Sequence, residues 1–142
     1  MRYLALALAL VAVLGIAGSA STQTTGRISI TATTADARVL GAQRASIMRL
    51  WNRSVSATPI GHAVVVCTSL GIGGVLGGGI SSCDATYVLP LGKITATGVR
   101  HSGRHYSLVV TGGTGRYLGA TGKVDRRPAE VPGQVRYIFQ LR

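Results

Sequence analysis

CDATYVLPLGKITATGVRHSGRHYSLVVTGGTGRYLGATGKV, residues Cys83 to Val124, is the stretch whose reading decides the fold. Tyr87-Val88-Leu89 leads into a turn at Pro90 and Gly92. Lys93 to Val99 then alternates as K-I-T-A-T-G-V, and a second turn follows at Ser102-Gly103. Tyr106 to Thr111 is the next extended run. After Gly112-Gly113-Thr114-Gly115 the chain resumes as a strand over Arg116 to Val124. Short apolar or β-branched runs between Gly and Pro punctuation belong to antiparallel strands, not to helices.

The same period extends in both directions. Upstream, Arg27 to Thr33 alternates as R-I-S-I-T-A-T and predicts the first strand, with Asp36 in the following turn or at the start of the next extended piece. Ala37 to Gln43 is open between strand and loop. Ser46 to Trp51 fits a helical turn or a strand by periodicity alone; it reads as a strand because no capped helical run surrounds it. Gly61 to Thr68 is a strand around Ala63-Val64-Val65-Val66. Residues 71–79 hold six glycines and read as a loop, a candidate flap or a plain surface connection. Downstream, Pro128 and Pro132 break the chain. Gln134 to Leu141 closes it with Val135, Tyr137, Phe139 and Leu141 on one face. About eight strands are expected, the number that closes an antiparallel barrel holding side chains or one small ligand.

Gly112 to Gly115 imitates a dinucleotide-binding turn. That motif needs a helix opening at the glycines. Here Gly119, Gly122 and Pro128 follow at once, and only 27 residues remain. The glycines read instead as a tight inter-strand turn, and no cofactor is expected.

Composition bounds the setting. Arg2 followed by an apolar run to Ala17 and by Gly18-Ser19-Ala20 has the form of a signal peptide, with cleavage expected after Ala20; a retained N-terminal anchor is the alternative. Residues 21–142 then form one secreted domain that leaves the membrane on cleavage. That domain holds fourteen basic residues against Asp36, Asp84, Asp125 and Glu130. Such a balance favours anionic partners, yet no basic stripe interleaves with aromatics, so no specific nucleic-acid partner is expected. Cys67 and Cys83 are the two cysteines, and an even pair outside the cytosol reads as a disulfide. A metal site lacks ligands at suitable spacing, so none is expected.

Few residues are equipped for chemistry. Asp36 and Asp84 are the catalytic candidates, each with the blander role of a solvated turn carboxylate. Tyr87, Tyr106, Tyr117 and Tyr137 are candidates to line a lumen and orient a ligand, or simply to fill it. Arg100 and Arg116 are candidates to bind a carboxylate, or to face solvent.

Ile94-Thr95-Ala96-Thr97-Gly98, Val110 to Tyr117 (VTGGTGRY) and Gly119-Ala120-Thr121-Gly122 together resemble the C-terminal half of the allene oxide cyclase-like barrel family, which includes the dirigent proteins. Cys67 and Cys83 around a glycine-rich loop, with Tyr87-Val88-Leu89-Pro90 after it, resemble small exported bacterial members. The resemblance covers Gly61 to Val124. It implies an all-β, eight-stranded antiparallel barrel with an apolar lumen and assembly as a homodimer or homotrimer. It also implies a small apolar ligand whose cyclisation or coupling the barrel steers, an isomerase-type activity if it is enzymatic. The family's Gly-Asp step is replaced here by Gly41-Ala42-Gln43, which removes a carboxylate. The alternative function is a non-catalytic envelope protein that binds anionic polymer through its basic surface. A closed lumen with at least one inward carboxylate or tyrosine pair favours the first reading, and a lumen packed solid by side chains favours the second. Salt-sensitive binding to anionic polymer would support the second further.

Overall fold

A computed structural model describes residues 25–71, 79–103 and 105–142. The expected signal peptide and most of the glycine-rich loop lie outside these residues. Eight strands follow one another as β1 (Gly26–Leu40), β2 (Gln43–Trp51), β3 (Gly61–Ser69), β4 (Ser81–Leu89), β5 (Gly92–Arg100), β6 (Tyr106–Gly113), β7 (Gly122–Pro128) and β8 (Gln134–Leu141). Each pairs antiparallel with its neighbour in sequence, and β8 returns to β1, closing the barrel. This is the all-β architecture expected from the alternating runs.

Closure follows from the alternation itself. Inward positions carry Ile30, Leu50, Tyr87, Ile94, Leu108, Val124, Tyr137 and Phe139, all essentially without solvent contact. Tyr87 sits at the centre, its ring edge-on to Tyr137 at 5.2 Å and to Phe139 at 4.9 Å between centroids. That geometry suits the ring quadrupoles and fills the width of the barrel with three rings. Of the four face residues expected on β8, Tyr137, Phe139 and Leu141 are buried and Val135 packs against the core. Trp51 lies on the outer side, where its indole N–H donates to the Ser56 carbonyl at 2.9 Å and a loop covers it.

Two local expectations are corrected. Residues from Arg116 to Thr121 are not strand: Gly115–Tyr117 is a single 3-10 turn, and β7 starts only at Gly122. The cause is a backbone-to-backbone contact between two turns at the base of the barrel. Arg116 N–H donates to the Leu91 carbonyl and Thr114 N–H to that of Lys93, each at 2.9 Å. Gly115 has φ +61°, and a Cβ there would stand 2.5 Å from the Leu91 carbonyl oxygen. The nucleotide-like glycines thus exist to let two hairpin ends touch. The first strand is also longer than expected, running on to Leu40 through the ambiguous segment.

The base is closed and the opposite end is not. Tyr117, Ala120, Leu89 and Leu141 seal the base as part of the core. At the other end the wall is uneven. Pairing of β1 with β8 stops at Thr33, and pairing of β5 with β6 stops at Thr97, while β1 to β5 remain paired with one another beyond those points. Five strands therefore rise above β6 to β8 and leave a mouth on that side. Cys67 and Cys83 face each other across β3 and β4 near this rim and form a disulfide.

Candidate functional site

The mouth holds a cavity of about 140 Å³ above the aromatic core. Its lining comes from the ends of strands, where inward parity continues after the apolar core has run out. On β2 the inward series reads Arg44, Ser46, Met48, Leu50; on β7 it reads Val124, Arg126. β5 contributes Arg100, β6 Tyr106, β8 Tyr137, β3 Val65 and Cys67, and β1 Thr34. The floor is Met48, Val65 and the buried Tyr137; the walls are cationic.

The arrangement around Tyr106 is specific. The guanidinium carbon of Arg100 lies 5.5 Å from its ring centroid and that of Arg126 lies 5.6 Å from it, so two cations share one aromatic ring. Tyr137 donates its hydroxyl to Met48 Sδ at 3.0 Å. Burial pushes the Tyr137 hydroxyl far above the usual tyrosine range, and the neighbouring Tyr106 adds to this while Arg126 opposes it. Tyr137 is therefore a neutral hydroxyl at any pH the protein would meet. Beneath it, Tyr87 is raised as well, first by burial and then by Tyr137 and Tyr106. Its hydroxyl is buried without a hydrogen-bond partner among the described residues.

Acidic groups are placed elsewhere. Asp36 shares the sequence parity of Ile30, Ala32 and Thr34, and an unbroken strand would have turned it into the barrel. A β-bulge between Thr34 and Asp36 shifts the register, so that Thr34 faces Met48 but Asp36 faces the outward Ile47. Asp36 thus lies on the outer surface, where it pairs with Arg38 at 3.2 Å. Asp84 falls between the inward Cys83 and Ala85, points outward, and accepts a 2.7 Å hydrogen bond from Thr97. Both acid/base candidates are consequently outside the chamber. Asp125 is buried on the outer side of β7. Its salt bridge is to Lys123, and it accepts hydrogen bonds from Ser107 and Gln140.

The remaining candidates divide by position. Arg100, Tyr106 and Tyr137 meet at the mouth. Tyr87 lies directly in the core beneath. Arg116 and Tyr117 are at the opposite, sealed end, the first exposed and the second buried. Arg44, Arg126, Ser46, Met48 and Thr34 line the chamber without having been singled out from the sequence. Extending the inward parity of β2 and β7 by one or two steps would have found the first two.

No family model matches the chain, and no curated protein sequence matches it. Solved structures do. A pyocyanin demethylase superposes with a TM-score of 0.69 over 82% of this chain and 100% of its own, at 16% identity. The Diels Alderase AbmU from Streptomyces koyangensis superposes with a TM-score of 0.58 over 87% of this chain and 72% of its own, at 12% identity. At such identities the likeness is one of fold: this chain is a small β-barrel of the kind those proteins share.

Proposed function

We propose that this protein is an exported small-molecule-binding barrel that holds its ligand in the mouth chamber and shapes its conformation, in the manner of allene oxide cyclase-like and dirigent-like barrels. One observation carries the reading. The barrel is packed solid at its base but opens at the mouth into a chamber where the inward pair Tyr106 and Tyr137 meets arginines from three strands. Above the apolar core the inward positions change to a few convergent polar and cationic side chains, the kind of lining that fixes a ligand's orientation. The fold supports the reading too, since the structural neighbours include a pyocyanin demethylase and a Diels Alderase. The disulfide at the rim accords with export.

The chemistry such a chamber offers is orientation and charge stabilisation. Arg44, Arg100 and Arg126 oppose negative charge on a bound molecule, and Tyr137 offers a hydroxyl that stays protonated. Proton abstraction by a carboxylate is not what the chamber is equipped for, because Asp36 and Asp84 lie outside it. If a reaction occurs, the barrel contributes by holding the molecule in a folded, reactive shape. Native mass spectrometry of protein purified from its own host tests the proposal. A retained small molecule, lost on denaturation, is the expected result; bare mass in a well-folded sample contradicts it.

A second reading has its own observation. Arg27, Arg49, Arg53, Arg116, Arg127 and Arg142 are all exposed on the outside, which suits an envelope protein that binds anionic polymer. Binding to such a polymer that vanishes at high salt and is insensitive to Arg44 and Arg100 would favour it.

A further inference from the structure

Three guanidinium groups, Arg44, Arg100 and Arg126, line one chamber of about 140 Å³, and no carboxylate lines it among the described residues. Arg44 and Arg100 also lack an ion-pair partner among those residues; the salt bridges there join Arg38 to Asp36 and Lys123 to Asp125, both on the outer face. Arg100 and Arg126 share the Tyr106 ring, and Arg126 is also engaged with the Tyr137 hydroxyl. Arg100 and Arg126 are half-buried and Arg44 is exposed at the chamber's edge; like charges gathered there oppose one another, and an anion between them reverses that opposition. The bulge that turns Asp36 outward keeps the chamber free of a competing internal anion.

The shape narrows the class. Below the arginines the lining is Met48, Val65 and the Tyr137 ring, which suits an apolar body but offers little to a fully hydrated ion. Guanidinium forks match a planar carboxylate with two parallel hydrogen bonds. A cavity of this volume suits one or two fused rings, not a long chain. Resting on the small-molecule reading above, we infer that the ligand is a compact cyclic carboxylate, its ring system seated on Met48 and Val65 and its carboxylate held at the rim by Arg44 and Arg100.

Naphthalene-2-carboxylate and naphthalene-2-carboxamide share a ring system and differ by one charge, so their calorimetric titration at fixed ionic strength isolates the anion. The carboxylate is expected to bind at least about tenfold more tightly, the size of a charge-assisted hydrogen bond. The double variant Arg44→Gln/Arg100→Gln should lose that preference and keep its affinity for the carboxamide, which also verifies its fold. Arg49→Gln removes a charge from the outer face and should keep the preference. Equal affinity of wild type for both probes overturns the inference and leaves the chamber reading standing. Failure of both probes to bind removes the chamber reading as well. A preference lost as fully in Arg49→Gln as in the double variant, or inorganic phosphate competing as strongly as the carboxylate, shows general surface charge and overturns the inference.

Discussion

At the scale of single residues, two polar groups show how burial decides what a side chain contributes. The Tyr87 hydroxyl is buried without a partner, so folding strips its water and returns nothing. Tyr87→Phe is expected to stabilise the empty protein by about 1 kcal/mol in denaturant titration; a comparable loss would reveal a partner. Asp125 is the opposite case. Burial alone would raise its pKa, but the Ser107 hydrogen bond, and then Lys123, outweigh it and hold the carboxyl below its ordinary value. A depressed native pKa means that the unfolded state binds more protons as pH falls. The stabilisation is therefore present above about pH 4, the ordinary carboxylate value, and disappears as pH drops through the native one. Asp125→Asn should cost about 1.5–3 kcal/mol near neutral pH, and the difference should shrink as pH falls through the lowered native pKa. Thermal melts across that range measure both ends.

Among the elements, the turn at Gly112 to Gly115 and the β3–β4 hairpin bear most of the specification. Gly115→Ala places a Cβ in the left-handed region and against the Leu91 carbonyl. A loss of at least about 2 kcal/mol is expected, read as a lower urea midpoint. The Cys67–Cys83 bridge joins residues 16 apart in sequence. Replacing both cysteines by alanine should cost about 3 kcal/mol in the chain-entropy view, and reductant should then leave the melting temperature unchanged. Much of this was legible beforehand. Alternation in β1 and β5, the valine-rich run of β3 and the apolar face of β8 disclosed the strands, and the count of eight disclosed the barrel. What alternation does not encode is a single extra residue: Ala35 in the bulge reverses the facing of everything after it and sends Asp36 outside. Nor does it mark where a strand stops, which is why Arg44 and Arg126 escaped notice although they continue the inward parity of Met48 and Val124. Arg116 and Tyr117 lie at the base, away from the other ligand-binding candidates, because the 3-10 turn there is set by contact with a distant hairpin, not by local propensity.

For the whole molecule, the division between a packed base and a cationic mouth is what links fold to function. Tyr87, Tyr137 and Phe139 fill the barrel's waist, and Tyr117, Ala120, Leu89 and Leu141 close its base, so any ligand is confined to the side where β1 to β5 overtop β6 to β8. That placement has a direct test in amide chemical-shift mapping of isotopically labelled protein against a panel of compact cyclic carboxylates and their amides. Shifts concentrated at Thr34, Ser46, Val65, Arg100, Tyr106 and Tyr137 are the expected outcome. Shifts spread over the outer arginines, or gathered at the Tyr117 end, would contradict the account.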